Sequence, residues 1–402
     1  MVISAKTLER RIKRYVHAPV HNYFAVTVPG LEPVTAAELH RLDVDNITEL
    51  GGGVAFSGHL EDGYRANLHL RSAGRVLMRL AEFRAGAIED VYRKTQAVPW
   101  DTFLSRGFLP VVKLSLQGAY LDHPGLISRT IIDGVRGSLE TLGWSSQDAG
   151  GESDEDHGQA VYVRMEGKRC TLSLDMTGER LHKRGYRIYP GRAPIRETTA
   201  AGILLSSEWE VGEPLMDLTC GSGTFAIEAA MLARNMPPGR NRTFGFCLWP
   251  AFKTRTWEYL KKQAEGHILD QTPGPIHASD VDPTALDTAR QNAEAAGVLS
   301  NLTLQQYDFT QAAAPGISAS SGLVVANPPY GNRLEERQTA LALVKELGRC
   351  IKKHFHGWRF AIVLPKDQRF KERLNLTVER SLILPHGGLK VEVVFGRVPL
   401  AM

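Results

Sequence analysis

Cysteine is scarce in this sequence, with four among 402 residues. Cys170, Cys220, Cys247 and Cys350 stand far apart. They have neither the paired spacing of a zinc site nor the density of a disulfide framework, so no metal is expected and a reducing cytoplasm is the expected compartment. Long apolar runs are missing too: none approaches the ~20 residues of a membrane-spanning helix. The basic N-terminus (Lys6, Arg10, Arg11, Lys13, Arg14) is not followed by the apolar stretch of a signal peptide. Nor does one sign of charge dominate. A net charge of +4 permits a nucleic-acid partner without requiring one. What is present is 43% hydrophobic and 23% charged residues, the balance of a globular chain with a real core and length for two or three domains.

The chain is organised around Leu323 to Gly331. Leu323 to Ala326 is an apolar run suited to a strand buried on both faces. Asn327, Pro328, Pro329 and Tyr330 stop it. Neither proline can donate to a ladder, and Pro329 holds Pro328 extended. A stiff loop at the carboxyl end of a central strand lies where open α/β sheets bind ligands. The Asn327 side-chain oxygen and the Pro328 carbonyl can accept both hydrogens of an exocyclic amine, and Tyr330 can stack on a flat base. Two acceptors held off the base plane favour a pyramidal nitrogen whose lone pair can attack. Asn-Pro also occurs in plain turns. The tetrapeptide resembles the N-P-P-Y motif of amino-group methyltransferases that use S-adenosylmethionine (SAM).

Taken in order, residues 1–20 read as a basic, poorly packed leader. Residues 21–85 give a strand (22–28), a helix (33–42), two short strands around Gly51 to Gly53, a helix (62–70) and a strand (76–83). That β-α-β-β-α-β order is the ferredoxin-like plan. Residues 86–178 read as a second small α+β domain: a short helix near Pro99, a strand (110–116), and a helix (126–142) with Ile127, Ile131, Val135 and Leu139 on one face. An acidic loop (147–158) and a hairpin (160–165 and 169–175) follow. The linker 179–196 interleaves Lys183, Arg184, Arg187 and Arg192 with Tyr186 and Tyr189. It fits a solvated loop or a phosphate track with stacking platforms, and its place just before residues 197–402 favours the track.

In that last segment a strand (214–218) meets Thr219 to Ala226 and a helix. Gly221-x-Gly223-x-x-Ala226 fits the dinucleotide fingerprint, its glycines allowing a tight turn and close approach to a ligand. A nicotinamide cofactor is the alternative. Asp217 at the strand end suits an ammonium better than a pyrophosphate, and a dehydrogenase gives no reason for Asn327 to Tyr330. Asp280 ends the next strand and precedes a helix (283–297). Asp308 with Phe309 lies past a third strand (302–306). The insertion 235–275 reads as a helix with aromatic core anchors whose arginines could also meet RNA. A terminal hairpin (376–398) matches the antiparallel edge of a seven-stranded sheet.

Leu181 to Arg187, Pro194 to Thr198, Asp217 to Thr224, Ser279 to Asp282 and Asn327 to Gly331 together resemble the THUMP-domain RNA methyltransferases. The closest likeness is to the N-terminal module of bacterial 23S rRNA guanine-N2 methyltransferases. The resemblance spans residues 20–400. It implies an α/β protein: a ferredoxin-like plus THUMP region that holds RNA, then a class I SAM-dependent methyltransferase sheet. It implies SAM contacts at Thr198, Asp217, Thr219, Cys220, Gly221, Gly223, Thr224, Asp280 (ribose), Val281, Asp308 (adenine), Phe309 and Asn327. It implies target-base contacts at Asn327 to Tyr330, and RNA contacts at Lys183, Arg184, Tyr186, Arg187 and Arg192. Members of the group often continue into a second methyltransferase domain, whereas this sequence ends at Met402. The expected reaction is methylation of guanine N2 in 23S rRNA. The alternatives are guanine N2 in tRNA, adenine N6 in DNA, or an RNA-binding protein without catalysis.

Overall fold

The computed structural model describes residues 3–106, 108–144, 151–152, 159–189, 194–310, 319–329 and 334–400. Two compact units are present, each made of discontinuous segments. Unit 1 comprises residues 1–27, 36–181 and 242–262; unit 2 comprises residues 28–35, 182–241 and 263–402.

Unit 1 opens with a helix, α1 (Ala5–Ile12), capped by Ser4 and continued by a π-helical turn over Lys13–His17. This corrects the expectation of a loose leader. Ile12 and Val16 are buried, and Arg11 grips the fully buried Asp101 through two bonds of 2.7 and 2.8 Å. The ferredoxin-like segment follows as β1 (His21–Thr27), α2 (Glu32–Arg41, its first turn counted with unit 2), β2 (Asp45–Leu50), β3 (Gly53–Gly58), α3 (Leu60–His69) and β4 (Ala73–Arg84). Then come α4 (Ile88–Gln96), β5 (Phe108–Leu109), β6 (Val111–Gln117), α5 (Pro124–Glu140), β7 (Gly151–Glu152), β8 (Ala160–Glu166) and β9 (Arg169–Asp175). Expected as two domains, residues 21–178 share one sheet of order β2-β3-β1-β4-β9-β8-β6. The join is the antiparallel β4–β9 ladder, Leu77 opposite Asp175 to Arg84 opposite Arg169. On α5 the predicted face of Ile127, Ile131, Val135 and Leu139 is buried.

Residues 242–262 of the aromatic insertion also belong to unit 1. Phe246 stacks on Tyr64 at 4.3 Å, and Trp257 meets Phe244 edge-on at 5.6 Å. Arg242 is occupied by the carbonyls of Glu179 and Arg180. The aromatic side chains thus have a packing role, and Arg242 is held within the unit.

Unit 2 holds α6 (Glu197–Ser206), β10 (Leu215–Asp217), α7 (Thr224–Ala233), α8 (Thr254–Glu265, its last turn), β11 (Ile276–Asp280), α9 (Pro283–Ala296), β12 (Leu302–Gln306) and β13 (Leu323–Ala326). After these come α10 (Leu334–His354), β14 (Arg359–Pro365), α11 (Gln368–Leu374), β15 (Arg380–His386) and β16 (Leu389–Arg397). The sheet order is β12-β11-β10-β13-β14-β16-β15, parallel through β14, with β16 antiparallel to both of its neighbours. Side chains alternate across it. Leu215, Leu323 and Val325 pack with α6, α7 and α9 on one face, while Met216, Val324 and Ala326 pack with α10 and α11 on the other. Burial on both faces is why β13 reads as an unbroken apolar run; each of its valines contributes roughly 1.5–3 kcal/mol.

Candidate active site

The strand order reverses at β10, with β11 on one side and β13 on the other. At such a switch point the two following loops diverge and leave a crevice beyond the carboxyl ends of the strands. Asp217 ends β10 opposite Val325, and Asp280 ends β11 opposite Gln306. Four loops with chemical groups therefore share one edge of the sheet: residues 218–223, 281–282, 307–310 and 327–329.

The glycine turn is built by hydrogen bonds to its neighbours. Cys220 N–H donates to the Ser279 carbonyl at 2.8 Å, and Gly221 N–H donates to Asp280 Oδ2 at 2.9 Å. Gly221 has φ +52°, and a Cβ there would meet nothing within 4 Å. Gly223, φ +84°, opens α7, and its Cβ would press on Ala289 of α9 at 3.1 Å. The first glycine leaves the loop open for a ligand, and the second lets two helices approach. Asp280 Oδ1 accepts from Asp282 N–H at 3.0 Å, and Asp282 caps α9. A carboxylate has about four lone-pair positions, so Asp280 keeps acceptor capacity beyond these two bonds.

Asp217 is fully buried. Its Oδ1 accepts a 3.3 Å bond from Thr219 N–H, while Oδ2 has no hydrogen-bond partner among the described residues. Burial pushes its carboxyl up to about 8; the Thr219 bond opposes the shift and the charge of Asp280 adds to it. A buried acceptor without a donor is costly, and an ammonium would satisfy it. The open turn at Gly221, this orphaned oxygen and the acceptor capacity of Asp280 fit a ligand carrying an ammonium and a ribose. Burial raises the Cys220 thiol far above its ordinary range, so it stays protonated and is no nucleophile.

Asn327 leaves β13 beside this turn. Its N–H donates to Thr219 Oγ1 at 2.9 Å, which ties the two loops together. The Asn327 side chain is half-buried, Pro328 is buried and Pro329 is exposed. Tyr330 lies outside the described residues. Asp308 accepts from Thr310 N–H and its hydroxyl at 2.8 and 2.6 Å through Oδ1. Phe309 rests half-buried on the core cluster of the α10 face, and Val281 is exposed at the rim. Thr198 and Thr224 are buried, and Thr224 Oγ1 accepts from Arg187 at 3.0 Å.

The basic segment departs from the phosphate-track expectation. Arg184 and Tyr186 are buried, and both donate to Glu228 Oε1 on α7, at 3.4 and 3.0 Å. Arg187 donates to Glu197 at 2.8 Å and to the Ile195 carbonyl at 2.9 Å. Burial raises the Glu197 carboxyl and the charge of Arg187 opposes that rise. These side chains brace α7 behind the glycine turn, Arg184 and Tyr186 buried and Arg187 partly so. Lys183 is exposed, and Arg192 lies outside the described residues. The boundary drawn at residue 197 thus moves to 182, because the brace belongs to unit 2.

One residue went without a role in the sequence. Asn292, buried on α9, donates to the Ser222 carbonyl at 3.1 Å and accepts from Ile188 N–H at 3.0 Å. It clamps the glycine turn to the brace. The available signal was an amide on the inward face of a helix, where a polar side chain needs a partner.

Comparison with known proteins agrees with this arrangement. Residues 184–391 match the RMKL-like methyltransferase domain, and residues 22–77 match the RlmL ferredoxin-like domain. Ribosomal RNA large subunit methyltransferase K/L of Psychromonas ingrahamii is 34% identical over 85% of this chain and 45% of its own length. The protein slr0064 of Synechocystis sp. is 31% identical over 92% of this chain and 95% of its own. The chain spans about half the length of the K/L relatives it matches. The crystal structure of SMU.472 in complex with SAH superposes with a TM-score of 0.84 at 28% identity, covering 95% of this chain and 99% of that one. Strand order, glycine turn and family match coincide on the same residues, and the chain belongs to the RMKL-like methyltransferase family, with an RlmL-type ferredoxin-like domain before it.

Proposed function

We propose that this chain binds SAM and methylates the exocyclic N2 amine of a guanine in 23S rRNA. The observation that carries the reading is the tie from Asn327 N–H to Thr219 Oγ1, which sets a base-binding loop against a cofactor turn. When bound, SAM supplies an electrophilic methyl on a sulfonium leaving group. Asp217, whose Oδ2 is unpartnered among the described residues, would hold the ammonium, Asp280 the ribose hydroxyls and Asp308 the adenine amine, and the open Gly221 turn would let the protein backbone approach the ligand closely. The Asn327 side-chain oxygen and the Pro328 carbonyl hold the two hydrogens of the target amine, and Tyr330 supplies an aromatic face for the flipped base. No general base is required, since the amine loses its proton after transfer.

The choice of rRNA is supported by the name of the K/L relatives, and the choice of guanine by the motif resemblance, because Asn327 to Tyr330 suits guanine and adenine amines equally. Labelled SAM incubated with unmodified rRNA and, in parallel, with unmodified tRNA, each then digested to nucleosides, tests it. Label in N2-methylguanosine is expected; label in N6-methyladenosine alone would overturn the guanine assignment, and label in tRNA alone the rRNA assignment. Asn327→Ala should abolish turnover while leaving SAM affinity nearly intact, and a large loss of SAM affinity would move Asn327 from the base to the cofactor.

A further inference from the structure

We propose that the outward face of α1 and of the π-helical turn after it, with Lys6, Arg10, Lys13 and Arg14, is a phosphate-contacting surface that grips the RNA. The inference rests on the reading of the protein as an RNA methyltransferase and adds a surface outside the matched domains, which begin at residue 22.

The helix is fixed by its other side. Ile3 N–H donates to the Leu142 carbonyl at 3.2 Å, Arg11 holds Asp101, and a His17 ring nitrogen lies 2.8 Å from the Ala251 carbonyl. Ile12 and Val16 fill the packed face. Lys6 and Arg10 are i, i+4 neighbours on α1, Lys13 and Arg14 open the π-helical turn that continues it, and all four are exposed, forming one basic stripe. Among the described residues none of the four has an ion-pair partner. Arg14 lies over the Tyr15 ring at 5.2 Å. Glu9 is the one acid on the helix.

At ~1.5 Å per residue the stripe is about 12 Å long, enough for three or four cations to meet successive phosphates. A rigid helix carries them there without ordering a disordered arm. An anionic membrane is the rival partner for a basic helix, but an interfacial helix inserts an apolar face into lipid. Here that face is occupied by the protein core, and the stripe presents charge without exposed large apolar side chains.

The test uses the full chain and an unmodified 23S rRNA transcript, with affinity measured across a salt series. The variant K6Q/R10Q/K13Q/R14Q should bind more weakly and flatten the slope of log K against log salt by about 2–3.5, at roughly 0.7–0.9 for each of three or four lost phosphate contacts. Glu9→Gln should tighten binding. Calorimetric titration with SAM serves as the folding control and should match the wild type. An unchanged slope and affinity in the quadruple variant overturns the surface while leaving methyl transfer to RNA in place. Failure of the wild type to bind or methylate any RNA overturns the functional reading and the surface with it. Loss of binding to phosphatidylserine vesicles, with RNA binding intact, assigns the stripe to a membrane and also overturns the proposal.

Discussion

Asp217→Asn should remove a pH dependence of stability that the wild type carries. The carboxyl is fully buried and pushed up to about 8 from an ordinary value of 3.8. Between these values the unfolded chain holds the ionised form and the folded chain holds the proton. The folded state binds more protons, so stability falls as pH rises, by up to about 1.4 kcal/mol per pH unit. Below about pH 4 both states are protonated and the group is neutral in effect; above about pH 8 both are ionised and the loss is complete. From pH 5 to pH 8 the sum is roughly 3–4 kcal/mol. Urea unfolding of both proteins at pH 5, 6, 7 and 8 isolates it, because every other titrating group cancels in the difference. Ligand binding gives an independent arm. An ammonium brought to Oδ2 favours the carboxylate, so SAM binding to the wild type should release a proton below pH 8 and tighten with pH by up to about tenfold per unit. The asparagine variant should do neither. Stability curves that stay parallel from pH 5 to pH 8 would refute the buried, orphaned state assigned to Asp217.

Asp280→Ala should weaken SAM binding by roughly 1.5–3 kcal/mol, the worth of charge-assisted hydrogen bonds. It should also loosen the turn at Gly221, seen as faster hydrogen exchange of that amide, since Asp280 Oδ2 holds its N–H; unchanged exchange would separate the carboxylate from the turn. Glu228→Gln removes the charge facing buried Arg184, whose side chain is 1% exposed. A loss of about 3–5 kcal/mol in urea unfolding is expected, with the salt slope of RNA binding unaltered. A flattened slope in that variant would return Arg184 to the phosphate-track reading.

Much of the site was legible because it is local. Asp217, Asp280 and Asp308 stand at or just past strand ends, and the turn residues that follow punctuate the chain. The prolines after Asn327 stop β13 by covalent geometry alone. The ferredoxin-like order was legible for the same reason, as was the buried face of α5, where periodicity within one element reports what it packs against. The partner of each side chain was not legible. Lys183, Arg184, Tyr186 and Arg187 have the composition of a nucleic-acid track, yet Arg184 meets Glu228 across a separation of 44 residues, and that meeting reverses its meaning. No spacing rule encodes a contact between a loop and the far side of a helix.

The sequence by itself determined where strands end, which turns need glycine and which strand is stopped by proline, because these follow from backbone sterics and side-chain period. Only the tertiary structure decided that α1 is docked, that residues 242–262 pack with the N-terminal unit, that one sheet runs through β4 and β9, and that Asn292 clamps the glycine turn. Each of these depends on burial and pairing between residues distant in the chain, and burial is what turns a cation from a surface charge into a brace.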